Sequence, residues 1–126
     1  MVAGYVYVRL RVTPDDARTV IRESIARGSS TPTLREPREL YLSEQSERLI
    51  NCVIPPALAV VVGETFHHGV YDQLRTEQVF AVARADDRWL LYRPTKRQFA
   101  LAYGPNLSEL TIWGFSSSDA LAEWLG

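Results

Sequence analysis

The sequence is poor in the residues from which small proteins build covalent or metal-based cross-links. Cys52 is the only cysteine, and His67 and His68 are the only histidines. With one thiol, no disulfide can form within the chain, which is typical of proteins in a reducing compartment. We therefore expect a cytoplasmic protein that is stabilised by a packed core rather than by disulfides.

Long apolar runs and phosphate-binding loops are also missing. The longest apolar run, residues 52–62, is interrupted by Pro55 and Pro56 and is shorter than the ~20 residues that a membrane helix requires. The first twelve residues alternate between apolar and polar types, unlike a signal peptide. The seven glycines are scattered, and no G-x-S-x-G or H-E-x-x-H motif occurs. The sequence thus predicts no membrane contact and no cofactor.

Excess charge of either sign is absent. Fourteen basic residues, all arginine except Lys96, face fifteen acidic ones, for a net charge of −1. Proteins that bind nucleic acid usually carry a clear basic excess. The charge balance therefore argues against a nucleic-acid partner.

What the chain does have is the size and composition of one folded domain. It contains 126 residues, of which 46% are hydrophobic and 23% are charged. Both fractions are close to the averages for globular domains, and a chain of this length can bury a sufficient core. We expect a single α+β domain over residues 1–126.

Periodicity and turn residues predict most of its elements. Residues 5–12 alternate as a half-buried strand, and Pro14 begins a helix that ends before Gly28. A second helix is expected from Ser43 through Ile54, and Pro55 and Pro56 are expected to end it. Four strands follow near residues 78–85, 88–93, 98–103 and 109–115, with a hairpin turn at Asp86-Asp87 between the first two. A closing helix is capped by residues 116–119. The predicted fold is an antiparallel β-meander of about four to five strands, packed on one face by three to four helices.

Residues 57–76 fit two interpretations. The run Val60-Val61-Val62 and the nearby glycines favour a strand, whereas the apolar spacing from Leu58 to Leu74 favours a helix. We favour the helix. In that case Glu64, His68 and Asp72 share one face and form a weak candidate for a metal site, or for a base centred on His67 or His68. The alternative is an ordinary solvated helix face.

Two groups of residues are candidates for partner binding. The outer face of the first strand carries Tyr5, Tyr7, Arg9 and Arg11, residue types that are frequent in protein–protein hot spots. The hairpin and the turn after it carry a basic cluster that suits an acidic partner: Arg84, Arg88, Arg93, Lys96 and Arg97. Local ion pairs with Asp86 and Asp87 are the alternative for the second group.

Large aromatic residues are concentrated in the last forty positions, where Trp113 is a further candidate contact. In the strand at residues 88–93, Trp89 and Leu91 share one face, and Leu90 and Tyr92 share the other. Both faces of the sheet therefore need cover. A helix, a second copy of the chain in a homodimer, or a different protein would each provide it.

The sequence supports two functional hypotheses. The leading one is a non-enzymatic accessory protein that binds another protein through a sheet face and arginine-bearing turns; bacterial immunity proteins, inhibitors and assembly factors share this general character. The alternative is a small enzyme or ligand-binding domain whose pocket is centred on His67 or His68, with Glu64 or Asp72 orienting the imidazole.

Overall fold

The computed structural model of the protein describes residues 14–32, 37–66 and 68–126. These residues form one six-stranded, mostly antiparallel sheet and four helices. The α+β class is confirmed, and the sheet has more strands than the four to five expected. The predicted strand at residues 5–12 lies outside the described residues, so its place at a sheet edge stays a prediction.

Four helices and six strands follow one another in this order: α1 (Pro14–Ala26), α2 (Arg38–Asn51), β1 (Val53–Leu58), β2 (Val61–Glu64), α3 (Val70–Leu74), β3 (Phe80–Ala85), β4 (Arg88–Arg93), β5 (Gln98–Tyr103), β6 (Leu110–Ser117) and α4 (Ala120–Leu125). The strand order in the sheet is β1-β3-β4-β5-β6-β2. All neighbours are antiparallel except β2, which runs parallel to β6. The predicted meander β3–β6 and the closing helix are confirmed.

Local turn chemistry fixes the hairpin between β3 and β4. Asp86 adopts a positive φ of 55°, a conformation that aspartate tolerates better than most residues. Arg84 Nε donates a hydrogen bond to the Asp86 carbonyl at 2.8 Å. The Asp86-Asp87 turn predicted from sequence is therefore present.

The helix that we favoured for residues 57–76 is wrong in its first half. Val61 pairs with Leu110, and Glu64 pairs with Ile112, in the parallel ladder between β2 and β6. Only Val70–Leu74 is helical. The β-branched valines suit a strand, and the strand that accepts them is β6, far along the sequence, so local spacing alone could not decide between the two states.

The second helix is also displaced from its predicted position. It spans Arg38–Asn51, so the expected start at Ser43 and the expected end at Ile54 are both wrong. Pro55 and Pro56, which we expected to end this helix, lie inside β1. Among the described strands β1 is an edge strand, where a residue without a backbone N–H is tolerated.

Both faces of the sheet carry a core, as predicted. Helices α1, α2 and α4 cover one face, where Leu90, Tyr92 and Phe99 are buried. The short α3 covers the other face, where Trp89 is 3% exposed and Leu91 is fully buried. The chain therefore covers the second face of the central strands itself, and these two side chains need no partner protein.

Candidate functional site

The predicted contact residue Arg93 lies in the interior rather than at the surface. It is 2% exposed, and its Nη2 donates to Glu77 Oε2 at 2.6 Å. Arg93 Nη1 also donates to Gln98 Oε1 at 3.1 Å and to Ser116 Oγ at 2.9 Å. The guanidinium thus links three elements of the fold and is not accessible to a partner.

Two other arginines of the predicted basic cluster lie against tryptophan rings. The Arg84 guanidinium carbon is 4.3 Å from the ring centroid of Trp89, and that of Arg88 is 4.4 Å from the ring centroid of Trp124. Such cation–π contacts stabilise each pair by about 0.5–1 kcal/mol at exposed sites. Both arginines therefore have partners within the domain.

The turn between β4 and β5 keeps its basic residues at the surface. Lys96 and Arg97 are exposed, and Arg97 has a positive φ of 53°. With Arg27, which follows the end of α1, they line a cavity of about 280 Å³ that also includes Glu23. Of the two arginines predicted as partner contacts in this region, Arg93 and Arg97, Arg97 is the exposed one.

The residues of the weak metal candidate are not brought together on a helix. Glu64 ends β2, Asp72 is in α3, and His68 lies between them. Asp72 pairs with Arg75 at 3.5 Å, whereas the His68 ring stacks on Phe115. Within residues 14–32, 37–66 and 68–126, no group of three or more potential ligands is close enough to hold a metal ion. His67 lies outside the described residues.

Five rings form one continuous exposed surface, which we call the aromatic strip: Tyr103, Trp113, Phe66, His68 and Phe115. The Tyr103 and Trp113 rings meet edge to face with centroids 5.6 Å apart, and Trp113 meets Phe66 in the same way at 5.2 Å. Phe66 and His68 are 5.9 Å apart, and His68 stacks on Phe115 at 3.9 Å. The exposed fraction ranges from 39% for Tyr103 to 60% for Phe115 among the four hydrophobic members, and His68 is exposed as well.

The position of the strip follows from the pleat of β6 and from the parallel pairing of β2. Trp113 and Phe115 are two residues apart in β6, so both project from one face of the strand. Phe66 and His68 follow the end of β2, and the β2–β6 ladder brings them alongside β6. Since α4 ends at Leu125, the helical layer does not bury these rings.

A cavity of about 240 Å³ lies between the aromatic strip and the end of α4. Its lining includes Phe66, His68, Trp113, Phe115, Glu123 and Gly126. A second cavity of about 480 Å³ also includes Glu123 and Gly126, together with Tyr41 of α2. Glu123 is therefore common to two adjoining cavities.

Glu123 is a half-buried carboxylate with few compensating groups. Burial raises its pKa above the usual range, a hydrogen bond from the Ser117 hydroxyl partly opposes this rise, and the negative charge of Asp119 adds to it. Ser117 Oγ donates to Glu123 Oε2 at 2.6 Å. The carboxylate thus brings negative charge to a cavity lined mainly by aromatic rings.

Asp119 holds the end of the helix that carries Glu123. It caps α4 by accepting a hydrogen bond from the Ala122 amide at 3.0 Å, and it also accepts from the Ser30 amide at 2.8 Å. Burial raises the pKa of Asp119, but the backbone donors of Ser30 and Ala122 outweigh burial and hold that pKa below its usual value. The cap therefore fixes α4, and with it Glu123, against the loop after α1.

Sequence reasoning found only part of this site. Trp113 was named as a candidate contact and His68 as a candidate pocket residue, whereas Phe66, Phe115 and Glu123 were not named. The alternation of Trp113 with Phe115 in a predicted strand was a usable signal. Tyr5, Tyr7, Arg9 and Arg11 lie outside the described residues, and their candidate role stays a prediction.

None of the helices in the described residues is long and apolar enough to cross a membrane.

Comparison with known proteins gives no direct assignment. No protein-family model matches the chain, and no curated protein or solved structure shows significant similarity to it.

Proposed function

We propose that this protein is a non-enzymatic, cytoplasmic accessory protein that binds another protein through the aromatic strip. Its mode of action would be that of an immunity protein, an inhibitor or an assembly factor, which neutralises or escorts its partner. The observation that carries this proposal is the continuous exposure of five contacting rings, two of which follow β2 while the others lie in β5 and β6: Phe66, His68, Tyr103, Trp113 and Phe115.

The energetics of such a surface favour protein binding. Contiguous apolar patches are rare on the surface of soluble monomers and usually mark interaction sites. Tryptophan and other aromatic residues dominate hot spots because they bury a large area with few rotatable bonds. In the strip each ring already contacts its neighbour, so little conformational entropy remains to be lost on binding.

The basic turn at residues 94–97 provides a second contact in this proposal. Arg97 is exposed there, with Lys96 beside it. Charges at the rim of an interface affect association rate and salt dependence more than affinity. We therefore expect Arg97 to steer a partner with an acidic patch rather than to anchor it.

The test is to compare variants of the strip against the partner isolated from the native host. Trp113→Ala should weaken binding by about 2 kcal/mol or more, which is roughly thirtyfold in Kd. Leu40→Ala is the matched control, because Leu40 is a similarly exposed apolar residue on α2, outside the strip. Isothermal titration calorimetry measures both affinities, and circular dichroism verifies folding.

Two outcomes would contradict or redirect the proposal. Equal affinities for wild type, Trp113→Ala and Phe115→Ala would remove the strip from the interface. Sedimentation velocity of the protein alone tests for a homodimer: a wild-type dimer that becomes monomeric on Trp113→Ala would identify the partner as a second copy of the chain.

The alternative, a ligand-binding domain with a histidine-centred pocket, is favoured by one observation. His68 lines the 240 Å³ cavity together with Trp113 and Phe115. Native mass spectrometry of protein purified from its host would detect a retained small molecule. Loss of that molecule on His68→Ala would support this alternative, and its retention would exclude a role for His68.

A further inference from the structure

The cavity beside the aromatic strip has the composition of a site for an organic cation. We propose that it receives a positively charged side chain, arginine or lysine, of the protein partner, with Glu123 as the counter-charge. This inference rests on the proposed function, because it names the chemistry by which the strip recognises its partner.

The aromatic rings that line the cavity can attract a cation. The face of an aromatic ring carries negative electrostatic potential and attracts a cation within about 6 Å of the ring centroid, with tryptophan the strongest. Phe66, Trp113 and Phe115 all line the cavity. The domain already uses this interaction twice, since Arg84 lies over Trp89 and Arg88 lies over Trp124.

Glu123 contributes a negative charge to the same cavity. In the described part of the chain the only donor to its carboxylate is the Ser117 hydroxyl, which bonds to Oε2. The charged neighbour that acts on it is Asp119, which has the same sign. The described residues therefore do not neutralise the negative charge of Glu123, and a cation from a partner would do so.

The other ionisable groups near the cavity do not supply that cation. Of the described residues that line it, none is arginine or lysine. Among these described lining residues His68 is the one with a basic ring nitrogen, and its ring is stacked on Phe115. The described lining therefore contributes no arginine or lysine to pair with Glu123.

The volume of the cavity indicates how much of a partner enters it. Pockets that hold whole drug-sized ligands measure roughly 300–1,000 Å³. At about 240 Å³ this cavity is smaller and suits a single side chain. Arginine and lysine fit because each carries its charge on an apolar stem that can contact aromatic rings.

The experiment titrates the full-length protein with four probes at pH of about 8. Two are cationic, Nα-acetylarginine amide and Nα-acetyllysine amide. Two are neutral analogues of similar shape, Nα-acetylcitrulline amide and Nα-acetylnorleucine amide. The readout is the indole N–H resonance of Trp113 in a ¹H–¹⁵N spectrum, assigned with Trp113→Phe.

We expect saturable shifts of this resonance with the cationic amides and at least tenfold weaker binding of the neutral ones. Glu123→Gln should weaken cation binding at least tenfold, because it removes the charge and keeps an oxygen that accepts from Ser117. Glu39→Gln is the matched control, since Glu39 is exposed on α2 and does not line the cavity. Thermal unfolding confirms that each variant is folded.

The inference fails if neutral and cationic amides bind equally, if neither cationic amide shifts the Trp113 resonance, or if Glu123→Gln binds them like the wild type. The isolated partner separates this failure from failure of the proposed function. Partner binding that is weakened by Trp113→Ala but unchanged by Glu123→Gln would retain the interface and overturn the cation site. Partner binding unchanged by both variants would overturn both.

Discussion

Removing the buried guanidinium of Arg93 should strongly destabilise the fold. Arg93→Met keeps an apolar chain of similar length and deletes the charge. It leaves the Glu77 carboxylate, Gln98 Oε1 and Ser116 Oγ without their shared donor. Unpaired polar groups in the interior are costly because neither water nor another donor replaces the lost bond.

The structure sets the size of the effect. Breaking a buried ion pair by removing one member typically costs about 3–5 kcal/mol. Arg93 is 2% exposed, but the Glu77 side chain is 16% exposed and also accepts from the Thr95 hydroxyl at 3.0 Å. Because Glu77 can regain some hydration, we expect Arg93→Met to cost about 3 kcal/mol. Glu77→Gln leaves the more deeply buried charge unpaired, so we expect it to cost at least as much.

Urea denaturation followed by tryptophan fluorescence measures both losses. The double variant Arg93→Met with Glu77→Gln should cost less than the sum of the single variants, because each single change disrupts the same pair. A loss below about 1 kcal/mol for Arg93→Met would refute our reasoning, since that is the size expected for a solvated surface pair.

The pH dependence gives a second check on the same pair. The hydrogen bond from Arg93 holds the pKa of Glu77 below its ordinary value of 4.5, although burial opposes this. A carboxyl whose pKa is lower in the folded state contributes stability that is present above its unfolded pKa. This contribution should be lost as pH falls from about 4.5 through the folded pKa. In Arg93→Met this part of the acid dependence should be absent.

Three further variants test other parts of the structure. Asp119→Ala should destabilise the protein by about 1–2 kcal/mol, measured by urea denaturation, because it removes the α4 cap and the bonds to Ser30; Ser108→Ala, in an exposed turn, is its control. Gly104→Ala should cost about 1–3 kcal/mol, because a Cβ there would overlap the Glu109 carbonyl oxygen; an unchanged melting temperature would contradict this. Burial raises the pKa of Glu123, so the wild type should gain stability as pH falls through that pKa. Glu123→Gln should therefore unfold at a higher temperature than wild type near neutral pH, and this difference should vanish in acid.

The parts of the fold that the sequence could predict are the local ones. Strands β3 to β6 are each joined to the next by a short turn, so alternation and turn residues such as Asp86 sufficed. Strand β2 was missed because its partner β6 is distant in sequence and parallel to it. The prolines of β1 were read as the end of a helix for a similar reason. A strand tolerates them at the edge of the described sheet, and the sequence alone does not show where β1 lies in that sheet.

Prediction of the site was limited by the same long-range pairing. Trp113 was recognised, but Phe66 meets it only because β2 lies beside β6. Arg93 was placed at the surface because arginine is rarely buried. In β4, Arg93 lies two residues after Leu91 and four after Trp89, so a regular strand places all three side chains on the same face of the sheet. This spacing was a usable signal that Arg93 is buried.

Two separate segments of the chain form the wall of the cavity beside the aromatic strip. Binding in this cavity should therefore affect how firmly β2 is paired with β6. Phe66 and His68 follow β2, whereas Trp113 and Phe115 belong to β6. A guest held between them would favour the state in which β2 is attached to the sheet and would lower the rate at which that edge opens. Amide hydrogen exchange should then slow at Val61 and Gly63 on binding, although neither residue lines the cavity. Ligand binding would thereby stabilise the pairing of the four-residue strand β2 with β6.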